Sequence, residues 1–559
     1  MVIETFARVL CSSAVCALLA APALAAEPVP AILIDTATIK AHPLPDYSYA
    51  GYGFGVADIP EARGTVLNVT DFGVVPDDGL DDSQAVLKAL AKANAVKGQV
   101  TLRFPAGRIQ ITEILRITRS DIVIEGAGSG PGGTELYFPR PLKLIDQSPD
   151  QDEIRTYNVE EKKFQIEPEH NIHYLFSEYS WSGGFILVGP EGSRPASYLG
   201  RMDKRDPVLT DAVAGKQFGK TLTVADPRKL KTGQIVQLQW FSTDGEKSPI
   251  IASIYGKTDM PIGSRHWTQT NRATVAQSTR IMKIRGKVVT LGDPLLHDIR
   301  ADQPAVIADW QHLTNVGIQN LHFTFPDAPA FGHHLEQGYN GIYFTGVFDG
   351  WMRNMVFDNA DSGILTDNAA SLTIADVRTR GNRKAHYSVH LGSVHNALVK
   401  DLTVENPVVH PVTVNTRSTR SVYLRANVMR DAVIDQHSGS NHQNLFDNMT
   451  LHISPKKTGD AYAYQLWLSG GAPYWKPGHG LYNTQWNTAL VIDGSVPVDA
   501  EVDLTSGLEG TSAAIIGLHG NRKVKISYRP DAYTDATNQA LTAVPSLYEY
   551  QLARRRAGK

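Results

Sequence analysis

Cysteine is all but missing from this 559-residue chain: Cys11 and Cys16 are the only two, and both lie near its start. The rest of the chain has no thiol for a disulfide staple, a paired CxxC site or a cysteine nucleophile. Net charge is scarce as well. Fifty-four basic residues against 57 acidic ones give a formal charge of -3, so no whole-molecule field points to nucleic acid. Attraction for an anionic ligand has to be local. Past the N-terminal segment no apolar run is long enough to span a membrane, and no membrane insertion is expected. A Gly-x-Ser-x-Gly elbow and a Walker loop are absent, which removes the enzyme classes built on them. Low-complexity linkers are absent too, although the length exceeds what one compact core normally holds.

What is present is turn-forming composition. Forty-seven glycines, 42% hydrophobic and 20% charged residues fit many short strands and corners better than long helices. A solenoid reconciles length with the missing linkers, because each coil buries its interior against the next. At the N-terminus, the apolar run Ala14 to Ala21 leads through Pro22 to Ala23-Leu24-Ala25-Ala26. This pattern reads as a signal peptide over residues 1–26 and implies export to a periplasm or the exterior.

Residues 68–111 hold the most informative local pattern. A short strand enters an Asp- and Gly-rich turn. A helix follows with Val86, Leu87, Leu90 and Ala93 on one stripe, capped by Asp82 or Ser83. A strand then ends at Phe104-Pro105-Ala106-Gly107. This order resembles the entrance of the pectate-lyase-like superfamily, the right-handed parallel β-helix proteins. The resemblance implies an all-β solenoid with an N-terminal capping helix and an open groove suited to chain-like substrates.

From residue 313 onward, β-runs begin near Gly341, Gly363, Tyr387, Pro411 and Ala432, a solenoid-type spacing. A second series, Trp351–Phe357, Leu372–Val377, Ala397–Val404, Val422–Val428 and Leu445–Ile453, falls between them. Asn359, Asn368, Asn382, Asn396 and Asn406 mark corners, where asparagine tolerates turn conformations. The expected organisation is a leader over 1–26, capping helix and first coils over 27–144, and a β-rich insertion over 145–312. The main coils follow over 313–530, with a C-terminal cap over 531–559.

Alternation places Val389, Leu391, Val412, Val414 and Ile434 inside, and His390, Thr413, Asn415 and Asp435 outside. His390, Asn415 and Asp435 are expected to neighbour one another on one face, with Arg417 and His437 at its rim. The segment Asp435 to Asn444 is the densest chemical cluster, and Asp435, His437 and His442 are the candidate catalytic residues. Histidine titrates near neutral pH, and a carboxylate orients it for proton transfer. Candidate substrate-binding residues are Glu336, Tyr339, Arg380, His390, Asn415, Arg417 and Arg420, arginine offering a two-point fork to an acidic sugar. Tyr343, Trp467, Tyr474 and Trp475 are further candidates for stacking on sugar rings.

No cofactor or metal is assigned. The Asp77–Asp82 turn suits calcium on paper, but a turn and a helix cap explain it with less. His333-His334-Leu335-Glu336 is metal-like in composition only, and the His437/His442 spacing matches no common closed zinc pattern. The expected function is an exported polysaccharide-degrading enzyme acting on a polysaccharide or oligosaccharide. A lyase cleaving an acidic glycan is favoured. A glycoside hydrolase pairing Asp435 with Asp361, Asp367 or Glu336, a fructan-type transferase, and a non-catalytic carbohydrate-binding solenoid are the alternatives.

Overall fold

The computed structural model describes residues 29–61, 64–146, 177, 179–192, 205–256, 258–268, 270–328 and 332–558. The expected leader over 1–26 lies outside the described residues. The chain winds as a parallel β-helix with three faces. The first face runs in parallel register from Thr65–Asn68 through Val100–Arg103 and Ile122–Glu125 to Leu313–Thr324, Val347–Asp358, Ala370–Arg380 and Leu398–Val404. It continues through Val422–Leu424, Leu445–Asp447, Thr484–Trp486, Ala513–Ile516 and Ala532–Asp535. The long strands bend into a second face, which includes Thr134–Tyr137, Thr450–Ile453 and Ala489–Ile492. Both series expected from the sequence are therefore real, and the second covers two faces.

One residue per coil makes that bend. Asn320, Asn354, Asp376, Asp401, Arg425, Asn448 and Asn487 occupy equivalent positions, all with φ between 47 and 62°. Asparagine and aspartate tolerate this left-handed region better than other non-glycine residues. Asn354 Nδ2 also donates to Asn320 Oδ1 at 2.7 Å, so adjacent bends are tied together. Of the asparagines expected at corners, Asn359, Asn368 and Asn396 have positive φ.

The third face stacks Leu115–Ile117, Ile186–Val188, Asn340–Thr345, Ser362–Asp367, Ala385–Gly392, Val408–Asn415, Ile434–His437, Ala461–Gly470, Glu501–Ser506 and Lys523–Ser527. Its inward column, Ile186, Ile342, Ile364, Val389, Val412 and Ile434, is fully buried. Stacked rings such as Phe323 on Phe357, with centroids 4.8 Å apart, fill the interior between faces.

The helix Ser83–Ala95 closes the N-terminal end, burying Val86, Ala89, Leu90 and Ala93. Its cap differs from the expectation. Asp81, not Asp82, accepts from Ser83 N at 3.0 Å, while Asp82 turns to Val75 N. At the other end of this helix, Arg119 donates to the Ala93, Val96 and Gly98 carbonyls.

The region expected as one insertion is interrupted, because Ile186–Val188 returns to the third face. The strands that follow, Val208–Gly215, Thr221–Val224, Ile235–Trp240, Val275–Arg285, Val288–Leu291 and Ala305–Ala308, form a closed barrel. The expected hairpin around Arg285-Gly286-Lys287 is part of it. The C-terminal helix, Leu547–Arg556, lies along the side of the first face, with Tyr47 and Trp486, instead of covering the end of the stack. Among the described residues, no helix is long and apolar enough to cross a membrane.

Candidate functional site

Parallel register makes Leu365, His390, Thr413, Asp435 and Leu468 one outward column of the third face. Gly392, Asn415, His437 and Gly470 form the column beside it. Asp435 is thus set between the rings of two coils. Its Oδ2 lies 3.1 Å from His437 Nδ1 and 3.1 Å from His410 Nδ1, and it accepts from Thr413 Oγ1 at 2.7 Å. Burial alone would raise this carboxyl, but the attraction and hydrogen bonds of His410 and His437 hold it well below the usual range. The result is a buried anion behind two imidazoles.

These outward side chains are not exposed as alternation suggests. Asp435 and Thr413 are 0% accessible and His390 and Asn415 are buried as well, whereas the His437 side chain keeps 15%. Outward direction sets which face a side chain lies on, and the surrounding rings then shield it. Tyr387 stacks on His386 with centroids 4.1 Å apart and on His410 at 5.2 Å. His390 contacts the same tyrosine, and burial with repulsion from His437 holds its ring down at about 3.

Glycines make room for two of the rings. A Cβ on Gly470 would fall 1.9 Å from His437 Nδ1, and one on Gly392 would fall 2.2 Å from His390 Cε1. Each imidazole therefore rests on a backbone position that no other residue type permits without displacing it.

Beside His437, the segment after Gly470 supplies half-buried Tyr474, Trp475 and Lys476. Lys476 Nζ bonds Ser469 and Gly470. Half-buried Arg417 reaches the barrel, donating to the Ala273 carbonyl at 3.2 Å. A narrow cavity lined by His266, Arg272, Thr416, Arg417, Ser440 and Trp475 separates barrel from corner.

Several expected residues lie elsewhere. His442 is buried and turns to the barrel, its Nε2 2.8 Å from His297 Nε2, so it does not join Asp435 and His437. Arg420 is 0% accessible and donates to the Pro294 and Leu295 carbonyls, which removes it from any substrate surface. Arg380 pairs with Asp358 at the far end of Ala370–Arg380, on the second face. Tyr339 is buried beneath the Arg383 guanidinium, 4.5 Å from its ring. Tyr343 and Trp467 are also core residues. Glu336 does approach the cluster, with Oε1 3.0 Å from His386 Nδ1.

Sequence reading overlooked His386 and His410. Counting back by twos from inward Val412 puts His410 inside, yet its ring meets Asp435. The available signal was the matched position of Tyr387 and His410, each two residues before an inward valine.

Residues 408–559 match a family model described as a domain of unknown function (DUF4955). No curated protein matches the chain. Among solved structures, the chain is similar to the Gp54 tailspike of Acinetobacter baumannii bacteriophage AP22, determined in complex with capsular saccharide. That likeness has 12% identity, 84% of this chain, 70% of that one and a TM-score of 0.36. It is also similar to the gp49 tailspike of Pseudomonas phage LKA1, with 11% identity, 84% and 78% coverage and a TM-score of 0.40. A third is the A-module of the Azotobacter vinelandii mannuronan C-5 epimerase AlgE4, at 11% identity, 85% and 96% coverage and a TM-score of 0.36.

Proposed function

We propose that the protein is a carbohydrate-active enzyme that cleaves an acidic polysaccharide by β-elimination, with His437 as the base. One observation carries the reading: a wholly buried carboxylate, Asp435, holds the Nδ1 side of an imidazole that reaches the surface of a long β-face. With the Nδ1 proton donated to Asp435, Nε2 of His437 is the proton acceptor. The anion behind the ring fixes its tautomer and stabilises the imidazolium formed when it takes a proton.

In the proposed step, His437 removes the proton beside the uronate carboxylate. The electron pair forms the ring double bond, the glycosidic C–O bond breaks, and the leaving oxygen takes a proton from solvent. Lys476 and Arg417 at the rim neutralise the substrate carboxylate, which acidifies the proton being removed. Tyr474 and Trp475 offer ring faces to pyranose C–H surfaces. Hydrolysis instead needs two carboxylates straddling the bond. Asp435 is bonded to histidines, Asp361 to Arg383 and Asp367 to the Tyr343 hydroxyl, and Glu336 lies buried against His386, an arrangement that favours elimination. The leader expected over residues 1–26 supports an exported enzyme.

The test is incubation with a panel of uronate-containing and neutral glycans. Elimination next to a carboxylate yields unsaturated products absorbing at roughly 232–235 nm, and His437→Ala is expected to lower that rate by about 10²–10⁴-fold. New reducing ends without this absorbance would replace elimination with hydrolysis. Full activity in His437→Ala would remove the residue from the chemistry.

A further inference from the structure

Next to Asp435 and His437 lies a second group of imidazoles that the elimination step does not use. His333 and His334 belong to the loop before Asn340–Thr345, and His386 lies on Ala385–Gly392. His333 Nε2 is 3.1 Å from His386 Nε2, and the His333 and His334 rings stack with centroids 3.8 Å apart. One nitrogen from each of the three residues lies within 4.8 Å of the others. Behind His386 stands Glu336, its Oε1 3.0 Å from His386 Nδ1 and its Oε2 accepting from Ser180 Oγ at 2.8 Å.

The direction of these contacts is informative. With the Glu336 carboxylate on its Nδ1 side, His386 turns Nε2 toward His333 Nε2, and a proton or a cation must lie between the two nitrogens. Around a tetrahedral ion with metal–nitrogen bonds of about 2.0–2.1 Å, ligand nitrogens stand about 3.3 Å apart. The observed 3.1 Å is close to that edge. A carboxylate on the far nitrogen of a ligating histidine is the usual outer support of such a centre.

We propose that His333, His334 and His386 bind a divalent transition-metal ion of the zinc type, with Glu336 fixing the His386 ring and His410 beside the ion. Three imidazoles are the protein donor set of reactive zinc centres. Calcium and magnesium prefer oxygen donors and do not suit it. His410 is 3% accessible, its centroid lies 5.4 Å from that of His333 and 5.3 Å from that of His386, and its Nε2 has no hydrogen-bond partner among the described residues. Burial, with repulsion from neighbouring rings, pushes His333 down to about 4 and His334 and His386 well below their ordinary value. Neutral imidazole is the form that ligates metal.

The experiment uses the full chain stripped with a chelator, then titrated with Zn(II) or Co(II) in the absence of glycan. The expected result is one Zn(II) per chain, and a Co(II) complex with visible bands typical of nitrogen ligation. His333→Ala, in the exposed loop, is expected to weaken binding by more than about 100-fold, and Glu336→Gln by about 10–100-fold, with far-UV circular dichroism unchanged. No stoichiometric uptake by the parent chain overturns the proposal, as does unchanged uptake in His333→Ala. Uptake lost in His437→Ala but kept in His333→Ala moves the ion to the neighbouring His410–Asp435–His437 group and overturns the assignment. Because no substrate is used, failure here leaves the elimination reading standing, and the reverse also holds.

Discussion

Gly470 sits where any side chain would collide with the Asp435–His437 pair. A Cβ there would approach His437 Nδ1 to 1.9 Å and Asp435 Oδ1 to 2.7 Å, so Gly470→Ala has to push the imidazole off its carboxylate. The expected outcome is a loss of about 10²-fold or more in kcat, the cost of misplacing a catalytic group by about 1 Å. Steady-state kinetics check it, and wild-type kcat would show that the ring's seat is irrelevant. Thr413→Val removes the 2.7 Å bond to buried Asp435. It is expected to cost about 1–3 kcal/mol in denaturant unfolding, because a buried acceptor loses its donor. At this scale the sequence was legible in the side-by-side placement of Asp435 and His437, which strand alternation sets on one face. It was not legible where partners come from far along the chain. Arg420 and His442 look like site residues until Pro294 and His297 are brought against them.

Buried polar groups join the barrel to the coils, beside an apolar contact of Ile235 with Phe348 and Ala370. His395 Nε2 meets Asp293 Oδ2 at 2.7 Å, Arg420 takes two barrel carbonyls, and His442 faces His297. Burial holds His442 down at about 4, and burial with repulsion from His442 holds His297 well below its ordinary value. Both folded values lie below the unfolded one of about 6.5, so this contribution is complete above that pH. It is lost as pH falls through 6.5 toward about 4. Hydrogen-exchange protection of Ile235–Trp240 and Val275–Arg285 is expected to fall over that window, ahead of the coil strands. Equal protection at pH 7 and pH 4 would contradict this reading of the contact. The individual strands and the capping helix were readable from period and turn residues. Closure of the barrel was not, because it depends on which strands pair, and pairing across Val208–Gly215 and Ala305–Ala308 leaves no local mark.

Across the whole molecule, two segments from opposite ends of the sequence brace the first face. Tyr47, Leu547 and Tyr548 are buried against Leu424 and Trp486, and Asp447 accepts from Ser546 Oγ, Leu547 N and Tyr548 N. Ending the chain at Pro545 is expected to cost at least about 3 kcal/mol, from two large side chains worth about 1.5–3 kcal/mol each. Chemical denaturation measures it, and an unchanged midpoint would mean that the helix is an ornament. The period of the solenoid was visible in the sequence, but the lateral position of this brace was not, since an amphipathic end fits either place. The fastening of the barrel has a consequence for how such a chain changes over generations. Elsewhere each rung brings its own bend residue, so a rung can be gained or lost and the stack closes ranks. His395, Thr419 and His442 stand on successive rungs joined by parallel bridges, and all three rungs are bolted to the barrel. An added rung there would carry its neighbours about 4.8 Å from their bolts. Reach is therefore free to drift on either side of the histidine-rich section, while the section itself is held to a fixed length.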